Sequence, residues 1–482
     1  MRNLTMMTDL YELTMMYGYY KHGMEKNKAV FDLFYRRRGE LQLAVAAGLE
    51  QVIDYVNSLH FEDDDIEYLR SLNLFDEDFL NLLKNLKFTG EIYAIPEGTV
   101  VFPMEPLIRV YAPIMEAQLL ETAILNLINH QTLIATKAQR VIEAACGDSV
   151  MEFGLRRAQG PDAAIYGARA AIISGCSSTS NVLTSKIYGV PASGTHAHSW
   201  VMSFPNELEA FRAYARTFPD ACLLLVDTYN VLKSGIPNAI KVFDELRASG
   251  HEPIGIRIDS GDLAYLSIEA RKMLDKAGYP NTKIVASSDL DEEVIWELKA
   301  QGAKIDTWGV GTKLITSYDN PALGGVYKMS MEEVDGVKEP RIKISENPEK
   351  VTNPGYKKVY RIYNKDGKSV ADLIALADEK FDTNEPLTIF DPIDTWKRMT
   401  LTEYSMRELL IPVFVDGKQV YKSPSLKEIS EYAKKDLETF YSEYRRIHKP
   451  HTYKVDLSKD LYDLKQKMLL DYNPGGYECN QK

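Results

Sequence analysis

"PIGIRIDSGDLAYLSIEARKMLDKAG", Pro253–Gly278, sets a short β-type run, Ile254–Ile258, directly before an amphipathic helical run, with Asp, Ser and Gly at the join. The same pairing recurs on both sides. "SVMEFGLRR" precedes "DAAIYGARAAIIS", "VPASGTHAH" precedes "NELEAFRAYARTF", and "ACLLLVDT" precedes "IPNAIKVFDELRAS". Further on, "KIVASSDL" precedes "DEEVIWELKAQG" and "IDTWGVGT" closes the series. Unbroken alternation of this kind predicts a parallel α/β barrel or a doubly wound sheet. Either architecture gathers ligands at the C-terminal ends of its strands. Those ends are Arg156–Arg157, Thr195–His198, Asp227–Thr228, Arg257–Asp259, Ser287–Asp289 and Gly309–Thr312.

Outward from this core the pattern changes. Thr8–Tyr20 reads as a helix with Thr8 as its N-cap and Asp9 and Glu12 in its first turn. Val30–Tyr35 reads as a buried strand, residues 40–88 as mostly helical, Gly90–Ala112 as short strands cut by Pro and Gly, and Glu116–Ala145 as helix. Beyond Lys328 short strands give way to a charged helical tract at 424–470. The expected division is an N-terminal α/β domain (1–135), an α/β barrel carrying the active site (136–345) and a C-terminal accessory region (346–482).

A chain of 482 residues supports more than one core. Its net charge of −12 argues against bulk binding to nucleic acid or an anionic membrane. No apolar run is long enough to span a bilayer. Cys146, Cys176, Cys222 and Cys479 are widely spaced, which fits neither a zinc site nor a disulfide framework and points to a reducing, cytoplasmic setting.

The Ser193–Trp200 stretch "SGTHAHSW" is the richest in candidate chemistry. In a strand, His196 and His198 would point to one side and could grip a metal ion, but the eight histidines of the chain supply no partner at a later strand end. A phosphate loop of the G-x-x-x-x-G-K-[ST] type lacks its lysine here. In "WGVGTKL", Gly309, Gly311, Thr312 and Lys313 could present backbone N–H groups, a hydroxyl and an ammonium to a phosphate. "FGLRRAQGP" offers guanidinium groups, and "RIDSGDL" pairs Arg257 with Asp259 and Asp262, a set suited to carboxylate, phosphate and Mg²⁺-bound phosphate.

Taken together, "TDLYELTM", "FGLRRAQGPD", "SGTHAHSW", "GIRIDSGDL", "ASSDLDE" and "WGVGTKLIT" resemble nicotinate phosphoribosyltransferase, co-linearly from about residue 5 to 330. The resemblance implies the irregular α/β barrel of type II phosphoribosyltransferases, usually a homodimer with active sites near the subunit interface. It implies that nicotinate, 5-phosphoribosyl 1-diphosphate and ATP give nicotinate mononucleotide, diphosphate, ADP and phosphate, in the salvage branch of NAD biosynthesis. Mg²⁺ would accompany the phosphates, with no permanently bound organic cofactor. Carried over by position, His198 is the residue phosphorylated from ATP. Tyr11, Thr195, Arg257 and Arg156 fall at nicotinate contacts, and Thr312 at a phosphoribosyl diphosphate contact, joined by Arg157, Gly309 and Gly311. Asp259 and Asp289 are the candidates to face the ribose and receive Mg²⁺. A related nicotinamide-using family places an acid where this chain has Ser178, which favours the acid substrate. The family pattern often reads G-T-M-A-H; His196 replaces Met and is expected to be a neutral neighbour that packs or hydrogen-bonds.

Overall fold

The computed structural model describes residues 3–36 and 41–472. Cys479 lies outside them. The chain forms two compact units: Met1–Thr132 with Ala322–Pro424 and Tyr432–Lys482, and Leu133–Pro321 with Ser425–Glu431. This cuts the chain differently from the three-part division above, because the segments after residue 322 complete a sheet begun near the N-terminus. Among the described residues no helix is long and apolar enough to cross a membrane.

In the first unit the strand Lys28–Tyr35, apolar but for Lys28 and Asp32, is buried on both faces from Ala29 onward, with Asp32 paired to Lys357 at 2.8 Å. It lies between two antiparallel neighbours, Ile108–Pro113 and Gly325–Val334. Glu91–Ala94 follows, and Ile411–Val415 pairs with it, so residues more than 300 apart in sequence share one seven-stranded sheet. A second, six-stranded sheet is built from residues 357–457. Its strand Lys454–Leu457 falls inside the tract expected to be helical; Asp456 is buried there and paired with Lys454 at 3.1 Å, so part of an apparently charged helix is a strand with neighbours on both sides. The first helix spans Leu10–Lys21 with Asp9, not Thr8, at its N-cap. The Thr8 hydroxyl instead donates to Glu12.

The second unit holds the predicted β-α series. Its strands are β1 (Ser149–Glu152), β2 (Ser178–Thr179), β3 (Leu223–Leu225), β4 (Gly255–Ile258), β5 (Lys283–Ser288) and β6 (Thr307–Val310), all parallel, in the order β2-β1-β6-β5-β4-β3. The stretch "VPASGTHAH" is not a regular strand. Thr179 forms a parallel bridge to Ala192, and Ser193 N–H donates to Thr179 O at 2.9 Å, so this stretch joins β2 by its main chain. On its other side it meets β3 through a side chain: Leu225 N–H donates to His196 Nε2 at 3.2 Å. The ring of strands is therefore closed by an irregular segment, and the fold is an irregular α/β barrel.

The helices between strands are capped as their sequences demand. Asn206, Asp262 and Asp291 accept backbone N–H groups at the starts of helices Glu207–Thr217, Leu263–Lys276 and Glu292–Ala300. Their apolar faces, such as Ile236, Val242, Phe243 and Leu246 in helix Ile236–Ala248, are buried.

Candidate active site

The C-terminal ends of the six strands and the closing segment surround a cavity of about 680 Å³. Ten of the residues singled out from sequence line it: Arg156, Arg157, Thr195, His198, Arg257, Asp259, Asp289, Gly309, Gly311 and Thr312. Ser178 does not; it is buried in β2, and Ser180 lines the cavity instead. Tyr11 belongs to the first unit, where it is exposed on helix Leu10–Lys21.

Each wall has a local cause. After β1 the chain turns through Leu155–Arg157, leaving both arginines exposed. Glu152, fully buried, ties that turn down: its carboxylate accepts Gly154 N–H and, at 2.6 Å, the Thr179 hydroxyl. Burial raises the Glu152 pKa against those two hydrogen bonds. Gly309 is required by Phe153, whose ring atoms would lie 2.7 and 2.8 Å from an added Cβ. Lys313 is turned away from the phosphate role open to it in sequence, because its ammonium pairs with Asp291 at the start of the preceding helix. Burial alone would raise the Asp291 pKa, but Lys313 and the N–H of Val294 hold it below its ordinary value.

The opposite wall is a polar chain. Arg257 Nε donates to Ser287 Oγ at 2.7 Å and its Nη2 to Asp259 Oδ1 at 2.8 Å. Ser287 also donates to Asp259. Burial opposes ionisation of Asp259, yet Ser287, Arg257 and His198 together lower its pKa, so it is a carboxylate. Its other oxygen lies 3.9 Å from His198 Nε2. Asp227, buried after β3, accepts Asp259 N–H at 3.0 Å and the Ser260 hydroxyl at 2.6 Å through Oδ2. Its Oδ1 has no hydrogen-bond partner and lies 4.0 Å from His198 Nε2. Thr228 Oγ1 is 3.1 Å from His198 Nδ1. Asp227 and Thr228 were visible in sequence only as a strand end; the apolar run "LLLV" before them was the one signal.

The two histidines have parted company. His198 opens the helix His198–Met202 with its side chain 40% exposed, at the cavity. His196 also borders the cavity, but its ring is buried against Tyr214 at 4.7 Å between ring centroids, with burial lowering its pKa to about 4. Their rings do not converge on one ion, and no cluster of three or more metal-ligating side chains occurs among the described residues. Asp259, ionised with one oxygen turned to His198, and the exposed Asp289 both line the cavity and are oxygen donors of the kind that Mg²⁺ takes.

Comparison with known proteins gives a consistent result. Residues 6–129, 149–382 and 356–465 match, respectively, the N-terminal domain, the main family and the C-terminal domain of nicotinate phosphoribosyltransferase. The nicotinate phosphoribosyltransferase of Bacillus subtilis is 50% identical over 470 residues, covering 97% of this chain and 95% of that protein. Its human counterpart is 33% identical over 530 residues, with 97% of each covered. The crystal structure of human nicotinic acid phosphoribosyltransferase superimposes with a TM-score of 0.83 at 30% identity, covering 96% of this chain and 99% of that one. A cavity at parallel strand ends, walled by cations and carboxylates around a histidine, thus sits in a chain that aligns along nearly its whole length with enzymes of one kind, and the chain belongs to the nicotinate phosphoribosyltransferase family.

Proposed function

We propose that this enzyme transfers the phosphoribosyl group of 5-phosphoribosyl 1-diphosphate to nicotinate in NAD biosynthesis, in the cytoplasm, coupled to ATP hydrolysis through phosphorylated His198. The observation that carries this reading is the setting of His198, with Nδ1 on Thr228 and Nε2 facing the carboxylates of Asp227 and Asp259. In the phosphorylation step a ring nitrogen forms a bond to the γ-phosphorus of ATP as the bond to ADP breaks. The ring then carries positive charge, which two carboxylates 3.9–4.0 Å away stabilise. Later attack by water breaks the N–P bond and releases phosphate.

In the transfer step the pyridine nitrogen of nicotinate bonds to the ribose carbon as diphosphate leaves. Arg157 and the Thr312 hydroxyl are the groups available to the departing negative charge, with N–H groups of the Gly309–Thr312 stretch, while Arg156 is placed beside the pyridine ring. Mg²⁺, held by Asp259 and Asp289, would supply further neutralisation of the diphosphate. Arg257, anchored by Asp259 and Ser287, and Thr195 are placed for the nicotinate carboxylate. Exposed Tyr11 offers a ring for stacking. A homodimer is supported by exposed Val182, Leu183 and Ile187 on one short helix, apolar side chains that a partner subunit would cover.

The test is labelling with γ-³²P-ATP. Wild-type protein is expected to carry an acid-labile, base-stable phosphoryl group, and His198→Ala to lose it together with the ATP-dependent gain in turnover, while slow uncoupled transfer persists. Full labelling of His198→Ala sinks the assignment.

A further inference from the structure

His196 is not used by the chemistry above, yet it belongs to the run Gly194–Ser199 that lines the cavity. The geometry points to a specific task for it: we propose that His196 is a positioning residue whose imidazole replaces a missing main-chain hydrogen bond at the barrel seam and thereby sets His198 against Thr228 and Asp227.

The argument begins at the edge of β3. In a parallel ladder alternate N–H groups point to opposite sides. Val226 N–H goes to Arg257 O of β4, at 3.0 Å, so Leu225 N–H points to the open edge. A buried N–H without an acceptor is costly, and a regular strand next to β3 would supply a carbonyl. The closing segment does not run as a strand there, and His196 Nε2 is the acceptor Leu225 finds. The bond demands the neutral tautomer with its proton on Nδ1, which faces Ala197 O at 3.5 Å. Burial against Tyr214 keeps the ring in that neutral form.

The register makes this contact more than a packing detail. His196 meets Leu225; two residues on, His198 meets Thr228 and faces Asp227, the residues that continue β3. One hydrogen bond therefore fixes the separation between the segment that carries the histidine and the strand end that carries its partners. No other described hydrogen bond joins 193–197 to β3. The inference deepens the proposed site: its kinetic readout rests on nicotinate being the substrate and on ATP coupling at His198, whereas amide exchange at the seam rests on neither.

Three variants of the full-length protein test it. His196→Leu fills the volume without an acceptor. His196→Gln places a carbonyl oxygen near the position of Nε2, whereas the shorter Asn in His196→Asn stops near Nδ1. Amide exchange at Leu225 reads the seam itself, with no substrate present. It is expected to speed up about tenfold or more in the Leu and Asn variants and to stay near wild type in Gln. In steady-state transfer, the gain in kcat that ATP brings is expected to fall about tenfold in Leu and Asn, with Gln recovering to within about threefold. The KM for 5-phosphoribosyl 1-diphosphate, whose proposed direct contacts Arg157 and Thr312 follow β1 and β6, is expected to change less than about twofold.

Unchanged Leu225 exchange in both Leu and Asn overturns the seam. Fast exchange with an unaltered ATP-dependent gain in kcat overturns the positioning role, and a Gln variant no better than Asn overturns the acceptor geometry. If wild-type protein does not turn over nicotinate, the functional reading fails while the exchange experiment still decides the seam. Should His196→Leu fail to fold, the comparison of Gln with Asn carries the same decision.

Discussion

At the scale of single residues, the site shows how burial sorts chemically identical side chains. His196 and His198 differ by two positions, yet one is a buried acceptor and the other a half-exposed group among carboxylates. This has a pH signature. The folded-state pKa of His196 is about 4 against an ordinary 6.5, so the unfolded chain binds the extra proton first as pH falls. Its share of stability is complete above about pH 6.5 and is lost as the pH drops toward 4, at up to about 1.4 kcal/mol per pH unit. Glu12 acts in the opposite sense. Burial raises its pKa to about 7 from 4.5, so its protonated form favours the folded state and that advantage fades as pH rises through this range. The two partly cancel in the wild-type curve. The difference between wild type and His196→Gln in urea melts from pH 4 to 7 isolates the histidine: the variant is expected to lack the acid-side loss, and parallel curves contradict the assignment.

At the scale of elements, strand ends were legible and strand partners were not. An apolar run followed by "RRAQG", "DSG" or "GT" marks where a buried strand meets solvent, and that alone brought ten residues to one cavity. Ser178–Thr179 has two residues and no periodicity to read, and "VPASGTHAH" looks like a strand because its apolar start precedes a helix. Whether it completes a ladder depends on the distant edge of β3, which local sequence does not encode. Gly309 illustrates a related point: its neighbours suggested a phosphate loop, while the missing Cβ is demanded by the Phe153 ring. Gly309→Ala is expected to cost about 1–3 kcal/mol from overpacking. It should also displace the Phe153–Arg157 turn, so that kcat/KM falls more than ten-fold, on the order of the cost of a misplaced binding group. A stability loss with unaltered kinetics would separate Gly309 from the site.

For the whole molecule, the long-range pairing in the first unit is the part least visible in sequence. Ile411–Val415 and Gly325–Val334 join strands from the first 113 residues, and neither carries a mark of its partner. A buried ionic group cements that unit. Arg361, fully buried, bonds Asp372 in two places, at 3.0 and 2.7 Å, reaches Asp436 at 3.1 Å and donates to Val100 O at 2.6 Å. Burial and the adjoining Asp372 push the Glu105 carboxyl well up, so that it is held protonated beside them. Arg361→Leu strands Asp372 and Asp436 without this countercharge and is expected to cost about 3–5 kcal/mol. Calorimetry should show the melting point falling by several degrees, and an unchanged transition would show the cluster to be dispensable. The interleaved topology also bears on the order in which the protein is made. The chain leaves the first unit at Thr132 and re-enters it at Ala322, so the strand Lys28–Tyr35 leaves the ribosome nearly 300 residues ahead of one of its two neighbours. The barrel, encoded almost continuously between those points, can close while the N-terminal segment still waits for its sheet, which makes the catalytic unit the earlier product of synthesis and the flanking unit the later one.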